Sequence, residues 1–497
     1  MINYFFCVTY GDHWLETVIK LHKNKIAKPV LWLGDYHHFS KATDVFGDVV
    51  QDMEKLVHHP YTIESIEYNN EYVSFFDSIH YLRSKDRCLK MMDRLDLFGN
   101  FNRLDREAYF HNLVLYFLKY TFDNKPDLFL STDAPHSHAQ YLLYEICLYL
   151  KIPTYKFNNF VFIPLLFIEE IKTGKRFEFK KRIKSENINL KIQDSISKFI
   201  LDLKDKKEKY TIFYVANQEA AKKIIPRFKT FLRVKLKNDY REIKHFIGLF
   251  IRKKTSYINP YRLSFFVRKK IKRIKKKRLL KVNNESSIKM DYGISYVYYP
   301  LHYEPERTTN PDGGEYQDQL KALIKLRSII PKEIRIVVKE HPFQFYNSDK
   351  GSRGRSPLFY KLIKNIENVD LIQTSENTVR LILNSLFVAT ITGTVALEAS
   401  ILGKNSLYFG NPWFKGLPNT YSIKEEPSFE LLASYVKYDS DHISNFLINI
   451  FKKHSVLAYM NFSQKEFFKN DHDELISKKS NDLYCLLEEF FKTKSKI

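Results

Sequence analysis

Short apolar runs punctuate the start of the chain: INYFFCVT from residue 2, KPVLWLG from 28, PDLFLST from 126 and KIPTYKF from 151. Each is bounded by polar or turn-forming residues, as buried strands are. Between the second and third, AYFHNLVLYFLKYTF repeats its apolar positions at helical spacing. Strands alternating with amphipathic helices predict βα units on a parallel sheet, here over residues 1–165. From 166 to 285 the pattern turns Lys-rich and mainly helical, with one strand candidate at YTIFYVAN, and reads as an insertion or linker.

Alternation returns over 286–460. ISYVYYPL is a strand, and GGEYQDQLKALIKLRSII is a helix that stops before Pro331. IRIVVKEH, VDLIQ, LFVATI and NSLYFG follow as strands, with the helices SPLFYKLIKNI, ENTVRLILNS and VALEASIL between them and Gly403 ending the last. This predicts a doubly wound α/β domain, in which ligands gather beyond the carboxyl ends of the strands. Residues 461–497 read as a terminal helical segment able to pack back across the domain interface.

Length and composition fit that division. A chain of 497 residues with 44% hydrophobic content can build more than one core. No apolar run approaches the roughly 18 residues of a membrane span, and the N-terminus reads as a first strand and not as a leader. A soluble, cytoplasmic protein is expected. Cys7, Cys88, Cys147 and Cys485 form no C-x-x-C pair and are expected to be reduced, mostly buried thiols. The net charge of +23 is concentrated in RKKIKRIKKKRLLK, residues 268–281, with ten basic residues in fourteen. Leu263, Phe266, Val267, Ile271 and Ile274 recur there at helical spacing, which suits either an anionic membrane surface or a solvated helix packed on the protein.

Candidate chemistry sits at strand ends. In VATITGTVALEAS, Thr392, Gly393 and Thr394 turn the chain from a strand into a helix, a place where amides and the helix dipole favour an anion. Capping alone would explain the threonines. Glu398 lies one turn inside, within reach of a ribose or merely offsetting the dipole. Lys339 and His341, in KEHP, emerge from a strand of the same sheet, and Pro342 holds His341 extended. An imidazole there can donate to a phosphate and stabilise a leaving group. His302, Glu304, Glu306, Arg307 and Thr308 follow the domain's first strand in a Pro-punctuated loop. In the first domain, Asp133, His136 and His138 stand between a strand and a helix, where a general base or nucleophile is expected; Asp133 is also the candidate N-cap. Asp12 and His13 are weaker candidates of the same kind. No metal-ligand spacing is present.

YPLHYEPERTT, VKEHP and TGTVALEA, in this order, resemble the capsular polysaccharide biosynthesis family, which includes Kdo transferases of bacterial capsule assembly. DAPHSHAQYLLYEICLYLKIP looks like that group's N-terminal signature, and the HP element with its Ser/Thr turn is more distantly similar to GT-B sialyltransferases. The resemblance covers about 126–153 and 290–415 and leaves out the basic middle. It implies a GT-B architecture: two Rossmann-like domains facing a cleft, acceptor in the first, nucleotide sugar in the second. His341 would contact the donor phosphate, Thr392 to Thr394 would cradle it, and Glu398 would face the nucleoside, with His302, Glu304, Glu306 and Lys339 around them. The implied activity is transfer of a sugar, Kdo or a related acidic one, to a capsular or glycolipid acceptor at the inner face of the membrane. The donor would be a substrate and no cofactor is expected, a CMP link being favoured over UDP. A CDP-glycerol-type phosphotransferase or a UDP-sugar enzyme is the alternative. Nucleic acid is not an expected partner, since no aromatic-interleaved basic motif is present.

Overall fold

A computed structural model of the chain describes residues 1–8, 12–34, 39–58, 69–96, 101–160, 163, 165–180, 186–205, 264–346, 351–458 and 472–495. The strand expected at YTIFYVAN lies outside these residues, as does Leu263. In the N-terminal half the strands are β1 (Ile2–Cys7), β2 (Ala27–Gly34), β3 (Val50–Asp52), β4 (Leu128–Ser131), β5 (Thr154–Asn159) and β6 (Leu165–Glu170). The C-terminal half contributes β7 (Tyr296–Pro300), β8 (Arg335–Lys339), β9 (Val369–Ile372), β10 (Val388–Thr390), β11 (Ser406–Tyr408) and β12 (Thr420–Ser422), and β13 (Ser455–Leu457) follows.

The first sheet has the order β13-β6-β5-β4-β1-β2-β3. Strands β1 to β5 run parallel, and β6 and β13 add an antiparallel edge. Period-two alternation decides which side each residue serves. Tyr4 and Phe6 face one core, and Phe5 and Cys7 face the other. The second core is closed by the helices Ile79–Leu95, Arg103–Asn124 and His138–Tyr149. The second sheet is wholly parallel, in the order β12-β11-β10-β7-β8-β9. Both sheets therefore reverse direction beside their first strand, at β1/β4 and at β7/β10, which places a ligand crevice at each reversal. The architecture is α/β with two Rossmann-like domains.

The expected boundaries need redrawing. The first sheet passes residue 165 to take in β6, and β13 returns from the far end of the chain to extend it. The last helix, His472–Lys494, covers that sheet: Leu483, Leu486, Leu487, Phe490 and Phe491 are buried with Tyr4, Trp14 and Phe157. Residues 166–285 are likewise not one insertion. The helix Glu186–Asp205 joins a shared core in which Ile192, Ile196 and Leu203 meet Phe167 of β6 and Ala396, Leu397, Ile443 and Leu447 from the C-terminal half. This seam core ties the halves together. Cys7, Cys88 and Cys147 are buried free thiols and Cys485 is partly buried. Among the described residues no helix is long and apolar enough to cross a membrane.

Because Phe490 is fully buried on the first sheet, Phe490→Ala is expected to cost about 3–5 kcal/mol in urea unfolding. The same measurement on Leu104→Ala, at a position 77% exposed, should move stability by no more than about 0.5 kcal/mol.

Candidate functional site

Strand β10 delivers Thr390 to the carboxyl edge, and the next three residues form the Thr392-Gly393-Thr394 turn. Strand β7, its neighbour, delivers His302 to the same place. The imidazole is buried and its Nε2 takes the Thr392 amide N–H at 3.3 Å and the Thr390 hydroxyl at 3.0 Å. Those two donors assign the proton to Nδ1. The Gly393 amide in turn donates to Thr390 Oγ1 at 3.2 Å, and Thr392 Oγ1 donates to the Thr308 carbonyl at 2.6 Å. Burial, with His341 and Arg355 nearby, lowers the His302 pKa to about 3. His302 is a neutral brace beneath the turn, not a ligand-binding residue as expected. The amides of Thr392 and Gly393 are engaged inward for the same reason, so the expected three-residue cradle narrows to Thr394. A side chain at Gly393 would meet Thr390 Oγ1 at 2.7 Å, so the turn closes this tightly only with glycine.

His341 leaves β8 differently. Its Nδ1 accepts the Phe343 amide at 3.2 Å, which assigns the proton to Nε2. That N–H has no partner among the described residues and is the donor the site has to offer. Burial first, then Lys339 and Arg355, lowers the His341 pKa to about 4, so the ring is neutral near pH 7. Lys339 is tied elsewhere. Its Nζ donates to the Glu376 carbonyl at 2.6 Å and to Thr378 Oγ1 at 2.8 Å, anchoring the loop after β9. Burial lowers its pKa to about 8 against the pull of Glu376 and Glu398. Glu398 is buried in the helix Val395–Ile401, and burial raises its carboxyl to about 7 despite a hydrogen bond from Thr394 and the charge of Lys339. His341, Lys339, Thr394 and Glu398 thus share one polar edge, with the ammonium as its main cation.

Glu340, between Lys339 and His341, meets the fully buried Arg355. Its Oε2 accepts Arg355 Nε at 2.7 Å and the Tyr360 hydroxyl at 2.8 Å, and its Oε1 accepts the His341 amide at 2.8 Å. Arg355 also donates to the His302 carbonyl at 2.8 Å, joining both strand ends. Glu304 belongs to this scaffold: Gln319 Nε2 donates to it at 3.0 Å, the Glu306 amide at 3.3 Å, and burial raises its pKa. Glu306 accepts the Arg307 amide at 3.0 Å. Glu304 is held within the loop, and Glu306 caps it through one oxygen.

That loop crosses to the N-terminal half. Arg307 forms an ion pair with Asp133 at the end of β4, and Lys156 of β5 holds Asp312 at 3.3 Å. Asn310 Nδ2 donates to the Arg87 carbonyl at 3.2 Å, and Arg353 reaches the Arg94 carbonyl at 2.6 Å. A cavity of about 250 Å³ lies along this seam, lined by Arg94, Glu304, Glu306, Asn310 and Arg353 among others. Asp133 also accepts the Ala134 amide at 2.7 Å, and His136 lies 4.0 Å from it, its Nδ1 on the Ala134 carbonyl at 2.8 Å. These two do face the seam. His138 does not: it is fully buried, Nε2 on the Leu56 carbonyl at 3.2 Å, and is a core residue of the first domain. The N-cap of its helix is Ser137, not Asp133. His13 is buried beside Trp14, and the side chain of Asp12 is outside the described residues.

Sequence reading missed Arg355, Gln319, Glu376, Thr378 and Thr390. One signal was available: a glutamate in a buried strand requires a cation, and GSRGRSP follows β8 closely. The others act through carbonyls, hydroxyls or amides, which leave no pattern in the sequence.

Residues 206–427, just under half of the chain, match the family model described as capsule polysaccharide biosynthesis protein. The match takes in the basic stretch that the motifs alone leave out. No curated protein matches the chain. Among solved structures, it is similar to a KpsC β-Kdo 2,4 transferase from Thermosulfurimonas dismutans, at 13% identity over 65% of this chain and 87% of that one, with a TM-score of 0.28. A KpsC β-Kdo 2,7 transferase of the same organism gives 15% identity over 41% and 67%, TM-score 0.21. A UDP-GlcNAc 2-epimerase from Methanocaldococcus jannaschii gives 12% over 90% and 98%, TM-score 0.24. At such scores whole chains do not superpose, and the fold rests on the strand order of the two sheets. The family match and the ordered motifs YPLHYEPERTT, VKEHP and TGTVALEA agree: residues 206–427 are similar to the capsule polysaccharide biosynthesis family.

Proposed function

We propose that the protein is a glycosyltransferase of capsule or surface polysaccharide assembly that uses a nucleotide sugar, CMP-linked and carrying Kdo or a related acidic sugar. The observation that carries this reading is His341: a neutral imidazole at the carboxyl end of β8, its Nδ1 occupied by a backbone amide and its Nε2–H left to donate. Beside it, Lys339 supplies positive charge in a poorly solvated setting, where a developing phosphate charge is stabilised strongly. Thr394 and Glu398 offer a hydroxyl and a carboxyl to the rest of the nucleotide. As the sugar–phosphate bond breaks, His341 donates to the leaving phosphate and the nearby Lys339 ammonium offsets its charge.

The acceptor hydroxyl enters from the N-terminal side of the seam. Asp133, with His136 next to it, is the group placed to take its proton. Arg307 pairs with Asp133 and keeps that carboxylate aimed at the cleft. A saccharide or lipid-linked saccharide at the cytoplasmic face of the membrane is the acceptor class in this reading.

In a thermal-shift panel of CMP, CDP, UDP and GDP, CMP should stabilise the protein most. His341→Ala should remove that shift and lower kcat/KM by roughly 10²–10³-fold, the usual size for loss of one charge-stabilising donor, with an unchanged circular-dichroism spectrum. Wild-type behaviour in that variant would refute the site.

The raised pKa of Glu398 gives a second expectation. Between 4.5 and about 7 the folded protein keeps a proton that the unfolded chain has lost, so this stabilisation disappears as pH rises through 7. Glu398→Gln should flatten the pH dependence of melting between 5 and 8 and make the variant the more stable form at pH 8, by at most about 3 kcal/mol. A variant that melts lower than wild type at pH 8 would contradict the burial assigned to this carboxyl.

A further inference from the structure

We propose that the N-terminal half of the helix Ser264–Ser286 is a docking surface for an anionic lipid bilayer. Three observations carry it, and none involves the donor site. The first is charge. Residues 268–281 hold ten Lys or Arg, and between 264 and 286 the sequence supplies a single acidic residue, Glu285. Lys281 pairs with Glu285 at 3.7 Å, leaving the cations before it without an acidic residue anywhere in their own helix. Such a block repels itself and attracts a polyanion.

The second is how the helix is held. Its C-terminal half is anchored: Leu279 is buried and Val282 partly buried in the core formed with Tyr360 and Ile363 of the helix Pro357–Lys364. Nearer its middle the helix turns side chains to solvent. Ile271 is 44% exposed and Ile274 59%, and Lys275, Lys277 and Arg278 beside them are exposed as well.

The third is the apolar component, which chooses the occupant. Ile271 and Ile274, three residues apart, fall on one face of the helix. A soluble polyanion, whether nucleic acid or acidic polysaccharide, needs the cations and gains nothing from isoleucines held in water. A bilayer takes both, cations on the headgroups and isoleucines at the acyl boundary. Because the anchor is the C-terminal domain, docking would bring that domain to the membrane, and the first domain would follow through the seam.

The test uses the full chain and sedimentation with vesicles. Binding is expected to vesicles of phosphatidylglycerol mixed with phosphatidylcholine, to weaken steeply with added salt, and to be absent with phosphatidylcholine alone. Ile271→Asp/Ile274→Asp should lose roughly tenfold or more in vesicle affinity while keeping its binding to heparin. Lys275→Glu/Lys277→Glu/Arg278→Glu should lose both. All these positions are exposed, so melting temperatures should stay at the wild-type value; if the charge-reversed variant melts early, the isoleucine variant decides. Absence of binding to the anionic vesicles, equal binding to phosphatidylcholine, or wild-type vesicle affinity in the isoleucine variant would each overturn the proposal, the last by showing a polyanion site only. A failed nucleotide shift would leave this result untouched.

Discussion

The buried pair of Glu340 and Arg355 sets the geometry on which the site depends. Two charges are taken out of water here, and the arrangement holds because every neighbouring lone pair is used: Arg355, Tyr360 and the His341 amide all donate to the one carboxylate. Removing one partner of such a pair commonly costs about 3–5 kcal/mol, because the other charge stays behind. The consequences are positional. Arg355 reaches the His302 carbonyl, so the ends of β7 and β8 are joined by one guanidinium, and its face lies 4.5 Å from the ring of Phe359. With His341 fixed through its own amide, the imidazole can turn only as far as the Phe343 contact permits.

Two histidines at one sheet edge then acquire opposite roles from which nitrogen the backbone claims. An amide points at Nε2 of His302 and at Nδ1 of His341. The first becomes a pillar under the turn; the second is left with a donor facing outward. The loop from Leu301 to Asp318 extends this arrangement to the other domain. Thr308 takes the hydroxyl of Thr392, Arg307 pairs with Asp133 and Asp312 with Lys156, so the nucleotide edge and the acceptor edge are braced by the same eighteen-residue segment. The seam core at Ile196, Leu397 and Leu447 makes the apolar attachment.

Much of this was legible in the sequence. Strands such as INYFFCVT and IRIVVKEH announce themselves because residues buried on both faces must be continuously apolar. The Thr392-Gly393-Thr394 turn and the KEHP strand end could be put on one edge by topology alone. Three kinds of feature could not be read. Strand β13 is three residues long, and nothing in SVL says that it returns to a sheet begun 450 residues earlier; its pairing with β6 is a tertiary choice. His138 looked like His136 because burial of a helix's first residue depends on what packs over it. The division between His302 and His341 rests on single hydrogen bonds, which no residue spacing encodes.

The most direct measurement is nitrogen-15 NMR of the imidazole side chains during titration with CMP near neutral pH. His341 should stay the neutral Nε2–H tautomer, its Nε2 resonance shifting as phosphate accepts that N–H, while the His302 resonances stay in place with the proton on Nδ1. An unmoved His341 in the nucleotide-bound protein, or a response at His302 in its place, would contradict the account.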